Sequence, residues 1–160
     1  MKLLCVSDTH GNTEVLRKVI DLEKEVDFLF HGGDFIVDTD PFIDRDLKII
    51  KVKGNCDHQH PGELEKVVEV ADKRILLTHG HKYNVKYNAL ASLAYRAAEI
   101  EADIVLFGHT HRSFKLKEDN VLYLNPGSLA YPRDGVFSYA IIEISKTGIK
   151  AEIKTVDSNL

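Results

Sequence analysis

Cysteine is scarce in this 160-residue chain. Cys5 and Cys56 are too few for a disulfide framework, and with no cysteine cluster a structural zinc is not expected. A basic surplus is missing too. The formal net charge is −4, which excludes a general electrostatic grip on nucleic acid. No apolar run is long enough to span a bilayer. Met1 is followed almost at once by an apolar segment, leaving no room for a signal peptide, so a reducing, cytoplasmic setting is expected. Internal repeats, low-complexity tracts and interdomain linkers are also lacking. Residues 1–160 therefore read as one domain, long enough to bury a core.

What the chain does have is histidine. Of eight, six fall as pairs two residues apart: His58/His60, His79/His81 and His109/His111. The last pair closes the segment Ala102 to His111, A-D-I-V-L-F-G-H-T-H, whose apolar part suits a strand buried on both faces. Alternate residues leaving a strand point the same way, so both imidazoles are expected to converge on one spot.

Taken in order, Lys2 to Val6 reads as a strand with Cys5 as a buried thiol. A helix follows from about Thr13, capped by Asn12 or Thr13, with Val15, Leu16, Val19, Ile20 and Leu22 as its apolar stripe. Val26 to Phe30 and Ile49 to Val52 read as further strands, separated by an acidic, irregular stretch at 35–46 with a short helix after Pro41. Asp57 to Gly62 is a loop by its turn chemistry. Val67 to Val70 and Arg74 to Thr78 are expected to pair across a turn at Asp72-Lys73. A long helix from about Asn84 to Ile100 carries Leu90, Leu93, Ala94, Ala97 and Ala98 on one side. Phe114 to Leu116, Val121 to Leu124, Val136 to Ile144 and Ile149 to Val156 read as an antiparallel run. Strand-helix alternation followed by strands alone predicts an α/β fold, with one sheet packed on a second and helices outside.

Five apolar runs end in Asp, Asn or His beside glycine: D8-x-H10-G11, G32-G33-D34, G54-N55, H79-G80-H81 and G108-H109-T110-H111. Sites in open α/β sheets form beyond the carboxyl ends of the strands. Singly, each motif has an ordinary explanation as a cap or tight turn. Jointly they bring more Asp, Asn and His donors to one edge than one divalent ion takes from protein. Two ions sharing a carboxylate, roughly 3.5–4 Å apart, account for them better. Mixed imidazole and carboxylate donors suit Mn, Fe, Ni, Co or Zn more than Ca or Mg.

This order of motifs resembles the calcineurin-like metallophosphoesterase superfamily. The compact length, G54-N-C-D57 and N125-P-G-S128 are similar to its small YfcE-type phosphodiesterase branch, and the match runs from residue 3 to about 130. The resemblance implies a four-layer α/β/β/α sandwich and two divalent transition-metal ions, manganese first, with Ni, Co, Fe or Zn as alternatives. It implies Asp8, His10 and His111 on one ion, Asn55, His79 and His109 on the other, and Asp34 bridging. It also implies direct in-line attack on phosphorus by a hydroxide between the ions. Asn55, Cys56 and His109 are the candidate catalytic side chains.

Cys56 departs from the pattern. Many members carry histidine there, which serves the leaving group, and a thiol matches that role less well. We therefore expect a small phosphodiester or an activated phosphate ester as substrate, with no membrane partner. A homo-oligomer is compatible with the sequence. The alternatives are a phosphomonoesterase, a nuclease, which the acidic charge disfavours, and a scaffold like the retromer subunit resembling this branch. A scaffold has no need of all seven donors. Asn125 to Ser128 is expected either to buttress the site or to be a simple turn. His31 is read as a strand-end residue, His58 and His60 as solvated, and His81 as a neighbour of the ligands. Arg112 and Arg133 are given no role.

Overall fold

The computed structural model describes residues 1–87 and 90–157. The first strands and helix are β1 (Lys2–Val6), α1 (Thr13–Leu22), β2 (Phe28–His31) and β3 (Lys48–Lys51). They are followed by β4 (Glu65–Val70), β5 (Lys73–Thr78), α2 (Ala91–Glu99) and β6 (Ile104–Leu106). Two hairpins come last: β7 (Ser113–Glu118) with β8 (Val121–Pro126), and β9 (Ser138–Ser145) with β10 (Gly148–Thr155).

The strands form two mixed sheets, ordered β10-β9-β1-β2-β3 and β4-β5-β6-β8-β7. β1, β2 and β3 are parallel in the first, as are β5, β6 and β8 in the second. Side-chain alternation along each strand explains the layering. Leu3 and Cys5 face inward with Ile75, Leu77, Ile104, Leu106, Leu122 and Leu124, filling the space between the sheets. Their neighbours Leu4 and Val6 face out, onto Val15, Leu16, Val19 and Ile20 of α1. On the far side, Leu76, Val105 and Tyr123 pack against Leu93 and Ala97 of α2. The result is the expected α/β/β/α order.

Several boundaries differ from expectation. The expected antiparallel run divides between the sheets: β7 and β8 join one, β9 and β10 the other, and β8 lies parallel to β6. The break falls at Gly127 to Phe137, where the chain crosses from one sheet to the other. β2 starts at Phe28, although Val26 still packs on the core beneath α1. The acidic stretch holds a 3₁₀ helix, Ile36–Phe42, that contains Pro41 and does not follow it; Phe42 is fully buried and anchors it. The β4–β5 turn sits at Ala71-Asp72, both in left-handed backbone.

α1 is capped by the Asn12 side chain, which accepts the Val15 N–H. Leu22, expected on its buried stripe, is 57% exposed. α2 begins at Ala91 rather than Asn84, because Gly80 and Asn84 take left-handed conformations around a short 3₁₀ turn, His81–Tyr83. Positions 88 and 89 of the expected helix lie outside the described residues. Ala98, expected inside, is exposed.

Candidate functional site

The carboxyl ends of β1, β2, β5 and β6 and the segment after β3 meet at one edge of the two sheets. Five of the seven expected donors stand there in left-handed backbone: Asp8, His10, Asp34, His109 and His111 have φ of 53, 40, 62, 70 and 55°. Non-glycine residues rarely adopt such angles, and where they do the surroundings impose them. The turn they produce swings each side chain off the strand direction and toward the space between the sheets. Two glycines make room. A Cβ on Gly54 would lie 2.0 Å from Asp34 Oδ1, and one on Gly108 would lie 1.9 Å from Ser7 Oγ.

Asp8, His10, Asp34 and His111 each offer one donor atom, and these atoms lie within 4.8 Å of one another. Asp8 is fully buried. Its Oδ2 accepts hydrogen bonds from Ser7 Oγ (2.6 Å) and the His109 N–H (3.1 Å). Among the described residues its Oδ1 has no hydrogen-bond partner, although His111 Nε2 is 3.1 Å away. The Nδ1 of His111 faces the Tyr131 carbonyl at 2.9 Å, so Nδ1 carries a proton and Nε2 is turned into the site. There Nε2 faces Asp8 Oδ1 and, at 3.3 Å, His10 Nε2. Burial works to raise the Asp8 pKa, but His111, His79 and Ser7 hold it below the ordinary value. Asp8 in turn raises that of His111.

A second group sits alongside. His79 is fully buried, and its Nδ1 faces the Gly32 carbonyl at 2.7 Å, so its Nε2 is likewise turned into the site. Nε2 lies 3.2 Å from Asn55 Oδ1 and 3.2 Å from His109 Nδ1. Burial lowers the His109 pKa to about 4, keeping that ring neutral. Asp34 stands between the groups, with Oδ2 3.6 Å from His10 Nε2 and Oδ1 3.5 Å from His79 Nε2. The Cys56 N–H donates to Asp34 Oδ1 at 2.8 Å and fixes the carboxylate plane.

These residues fit a divalent cation. Buried carboxylate oxygens and imidazole nitrogens converge there, and Asp8 Oδ1 is buried with no hydrogen-bond partner among the described residues. Backbone carbonyls orient His79 and His111 from behind, as carboxylates and carbonyls orient metal-ligating imidazoles generally.

Residues 1–147 match the calcineurin-like phosphoesterase superfamily domain. The chain belongs to that superfamily. It is 36% identical to the probable metallophosphoesterase YsnB of Bacillus subtilis, over 90% of this chain and 85% of that protein. It is 29% identical to a phosphodiesterase of Methanocaldococcus jannaschii, covering 91% of this chain and 95% of that one. A crystal structure from Streptococcus pneumoniae, described as a predicted phosphoesterase, superposes with a TM-score of 0.82 at 32% identity, over 99% and 94% of the two chains.

Within this phosphoesterase fold, all seven expected donors come to one edge, but not as the strand-alternation argument has it. His109 and His111 do not converge on one spot. Both lie beyond the end of β6, and their left-handed turns send His109 to His79 and His111 to Asp8. Cys5 is buried and Cys56 exposed. Burial, then the Asp34 carboxylate, push the Cys56 thiol up to about 11, so it is protonated at neutral pH. His31 is satisfied at its strand end by Thr9 Oγ1 and the Gly33 N–H. His58 is exposed and His60 half-buried. The His81 ring centroid is 5.3 Å from that of His79, and its buried Nδ1 has no partner among the described residues.

Asp57, Phe35 and Tyr131 support the site without having been assigned a part in it from sequence. Asp57, read as loop, is fully buried and accepts the N–H groups of Asp34, Gly54 and Ile36. Its only sequence signal is an acid two residues after Asn55. Asn125 and Ser128 do buttress the edge: Asn125 Nδ2 donates to the Gly108 carbonyl and Ser128 Oγ to the Asp8 carbonyl. Phe35 and Tyr131 flank the His10 ring at 5.2 and 5.4 Å, at the mouth of the site.

Proposed function

We propose that this phosphoesterase is a dinuclear, metal-dependent phosphodiesterase. The observation that carries the reading is Asp34, whose two oxygens face two separate histidine groups. In this reading Asp8, His10 and His111 hold one ion, Asn55, His79 and His109 the other, and Asp34 both. Bound there, two such ions would supply Lewis acidity, lowering the pKa of an attacking water and neutralising charge on the phosphoryl oxygens, as direct in-line attack on phosphorus requires. Manganese is the first candidate, with Ni, Co, Fe and Zn behind it, for a donor set of imidazole, carboxylate and amide.

The chain's own contribution is orientation. Ser7 and the His109 N–H hold Asp8 by Oδ2 and leave Oδ1 free. The carbonyls of Gly32 and Tyr131 set the tautomers of His79 and His111. Cys56, its thiol raised to about 11, is a weak proton donor to a departing alkoxide. Esters with good leaving groups are therefore favoured, and the name carried by the M. jannaschii relative supports a diester. The scaffold alternative gives no reason for seven donors to face one another.

The test is hydrolysis of bis(p-nitrophenyl) phosphate against p-nitrophenyl phosphate by metal-stripped protein, with Mn, Ni, Co, Zn and Mg returned singly. Metal-dependent cleavage of the diester in preference to the monoester supports the reading. Preference for the monoester makes the protein a phosphatase, and folded protein inactive with every metal favours the scaffold.

A further inference from the structure

Beside His109 opens a cleft of about 570 Å³, a size ordinary for small-molecule sites, that the chemistry above leaves without a role. Its walls are apolar: Val85, Leu90, Phe107 and Phe114 line it. The Phe107 and Phe114 rings stand 6.2 Å apart and tilted by 55°, making a corner suited to the edge and face of a flat ring. Its rim is cationic, with Lys86, Arg112 and Arg133. Among the described residues, none of these three side chains pairs with a carboxylate, and none of the lining residues is acidic. In a chain of net charge −4, that is a local excess of positive charge, with Asp134, which accepts from Ser113 of the lining, as the neighbouring carboxylate.

The cleft is joined to the candidate metal site by covalent and hydrogen-bonded links. Thr110 lines it and lies between His109 and His111 in sequence. Thr110 Oγ1 accepts from the Arg112 N–H at 3.2 Å and from Asn125 Nδ2 at 3.0 Å. The Arg133 N–H donates to the His111 carbonyl at 2.7 Å. Lys86 is near enough for its charge to be felt at His109. Thr110 thus marks the boundary between the donor edge and the cleft.

The lining selects that arm. A bare alkyl or aryl group would match the walls and make no use of the three exposed cations at the rim. A polyanion lacking an apolar part would leave the walls wet. We infer that the substrate is a small phosphodiester, one arm of which is nucleotide-like: a flat aromatic base on a sugar that carries a second phosphate. This deepens the phosphodiesterase reading and rests on it for the position of the scissile group. The ring sits against Phe107 and Phe114, and the second phosphate meets Arg112 and Arg133, whose guanidinium groups suit phosphate geometry.

The test compares two p-nitrophenyl diesters. One is methyl p-nitrophenyl phosphate; the other is the p-nitrophenyl ester of thymidine monophosphate with a second phosphate on the sugar. The expected result for Arg112→Ala/Arg133→Ala is a KM raised roughly tenfold for the nucleotide ester, the loss of a charge-assisted contact, with kcat/KM for the methyl ester unchanged within about twofold. Phe114→Ala is expected to act in the same direction. Equal losses on both esters, or no loss on either, overturn the inference. A second measurement is independent of turnover: fluorescence anisotropy of a fluorescent nucleoside bisphosphate on metal-free protein. Binding by wild type and by Asp34→Asn, weakened roughly tenfold in the double arginine variant, supports the cleft even if no ester is hydrolysed, in which case only the phosphodiesterase reading fails. Failure of wild-type protein to bind this probe overturns the cleft assignment whatever its activity.

Discussion

Asp57 holds Asp34 by its backbone. Asp57 Oδ2 accepts the Asp34 N–H at 2.9 Å and the Gly54 N–H at 2.8 Å, while Oδ1 accepts that of Ile36 at 3.0 Å. One buried carboxylate thereby ties the segment after β2 to the segment after β3, and the left-handed turn at Asp34 depends on it. Asp57→Ala leaves three buried N–H groups without a partner. At about 1–3 kcal/mol for each such group, a loss of at least about 3 kcal/mol is expected in urea unfolding. A loss below about 1 kcal/mol would show that water replaces the carboxylate and that Asp57 does not position Asp34.

Gly54→Ala tests the same junction from the other side. The added methyl would lie 2.0 Å from Asp34 Oδ1 and 2.4 Å from the Asp34 backbone nitrogen, so both must shift. Overpacking of this kind costs about 1–3 kcal/mol, but its larger expected effect is on metal retention, since Asp34 is displaced directly. Dialysis followed by elemental analysis should find less metal per chain than in wild type. Unchanged metal content would mean that Asp34 is not a shared ligand.

His31 gives a pH signature unconnected with catalysis. It is fully buried, and desolvation lowers its pKa from 6.5 to about 4, despite the opposing pull of Asp57 and Asp8. The sign follows from linkage. Between those values the unfolded chain binds a proton that the folded chain does not, so stability is complete above pH 6.5 and falls as pH drops toward 4. The full shift is worth roughly 3 kcal/mol. His31→Gln removes this titration, and denaturant unfolding followed from pH 7 to 4 should show a slope shallower by about one proton than wild type. Identical slopes would contradict a neutral His31.

Cys56→His restores a proton-donating ring at the position where the thiol is held protonated near 11. Its effect is expected to grow as the leaving group worsens, because poor leaving groups need the proton most. Rates on aryl phosphodiesters of graded phenol pKa measure it. The variant should give a flatter dependence on leaving-group pKa; an unchanged slope would assign Cys56 no part in departure.

Much of this was legible in the chain. Strands buried on both faces are near-continuous apolar runs, and the polar residues that end them fall at the sheet edge by topology, so D8-x-H10, D34, N55, H79 and H109-x-H111 announce a site together. Backbone handedness was not legible. Nothing in G-H-T-H says that His109 and His111 turn left-handed and part company. Nor does the sequence say that the β8–β9 segment crosses between sheets, since each hairpin has the same local pattern in either. α2 starts late because Asn84 adopts a left-handed conformation, which leaves the apolar spacing of Leu90, Leu93 and Ala97 unaltered. Asp57 stayed hidden because a buried acceptor and a solvated loop acid look alike until three N–H groups are seen to converge on one of them.

The most direct measurement is the number of ions bound. Isothermal titration of metal-free protein with Mn, paired with elemental analysis after gel filtration, should give two ions per chain for wild type and a loss at both positions for Asp34→Asn, since that carboxylate faces both histidine groups. One ion per chain in wild type, or Asp34→Asn retaining two with unchanged affinity, would contradict a two-metal centre bridged by Asp34.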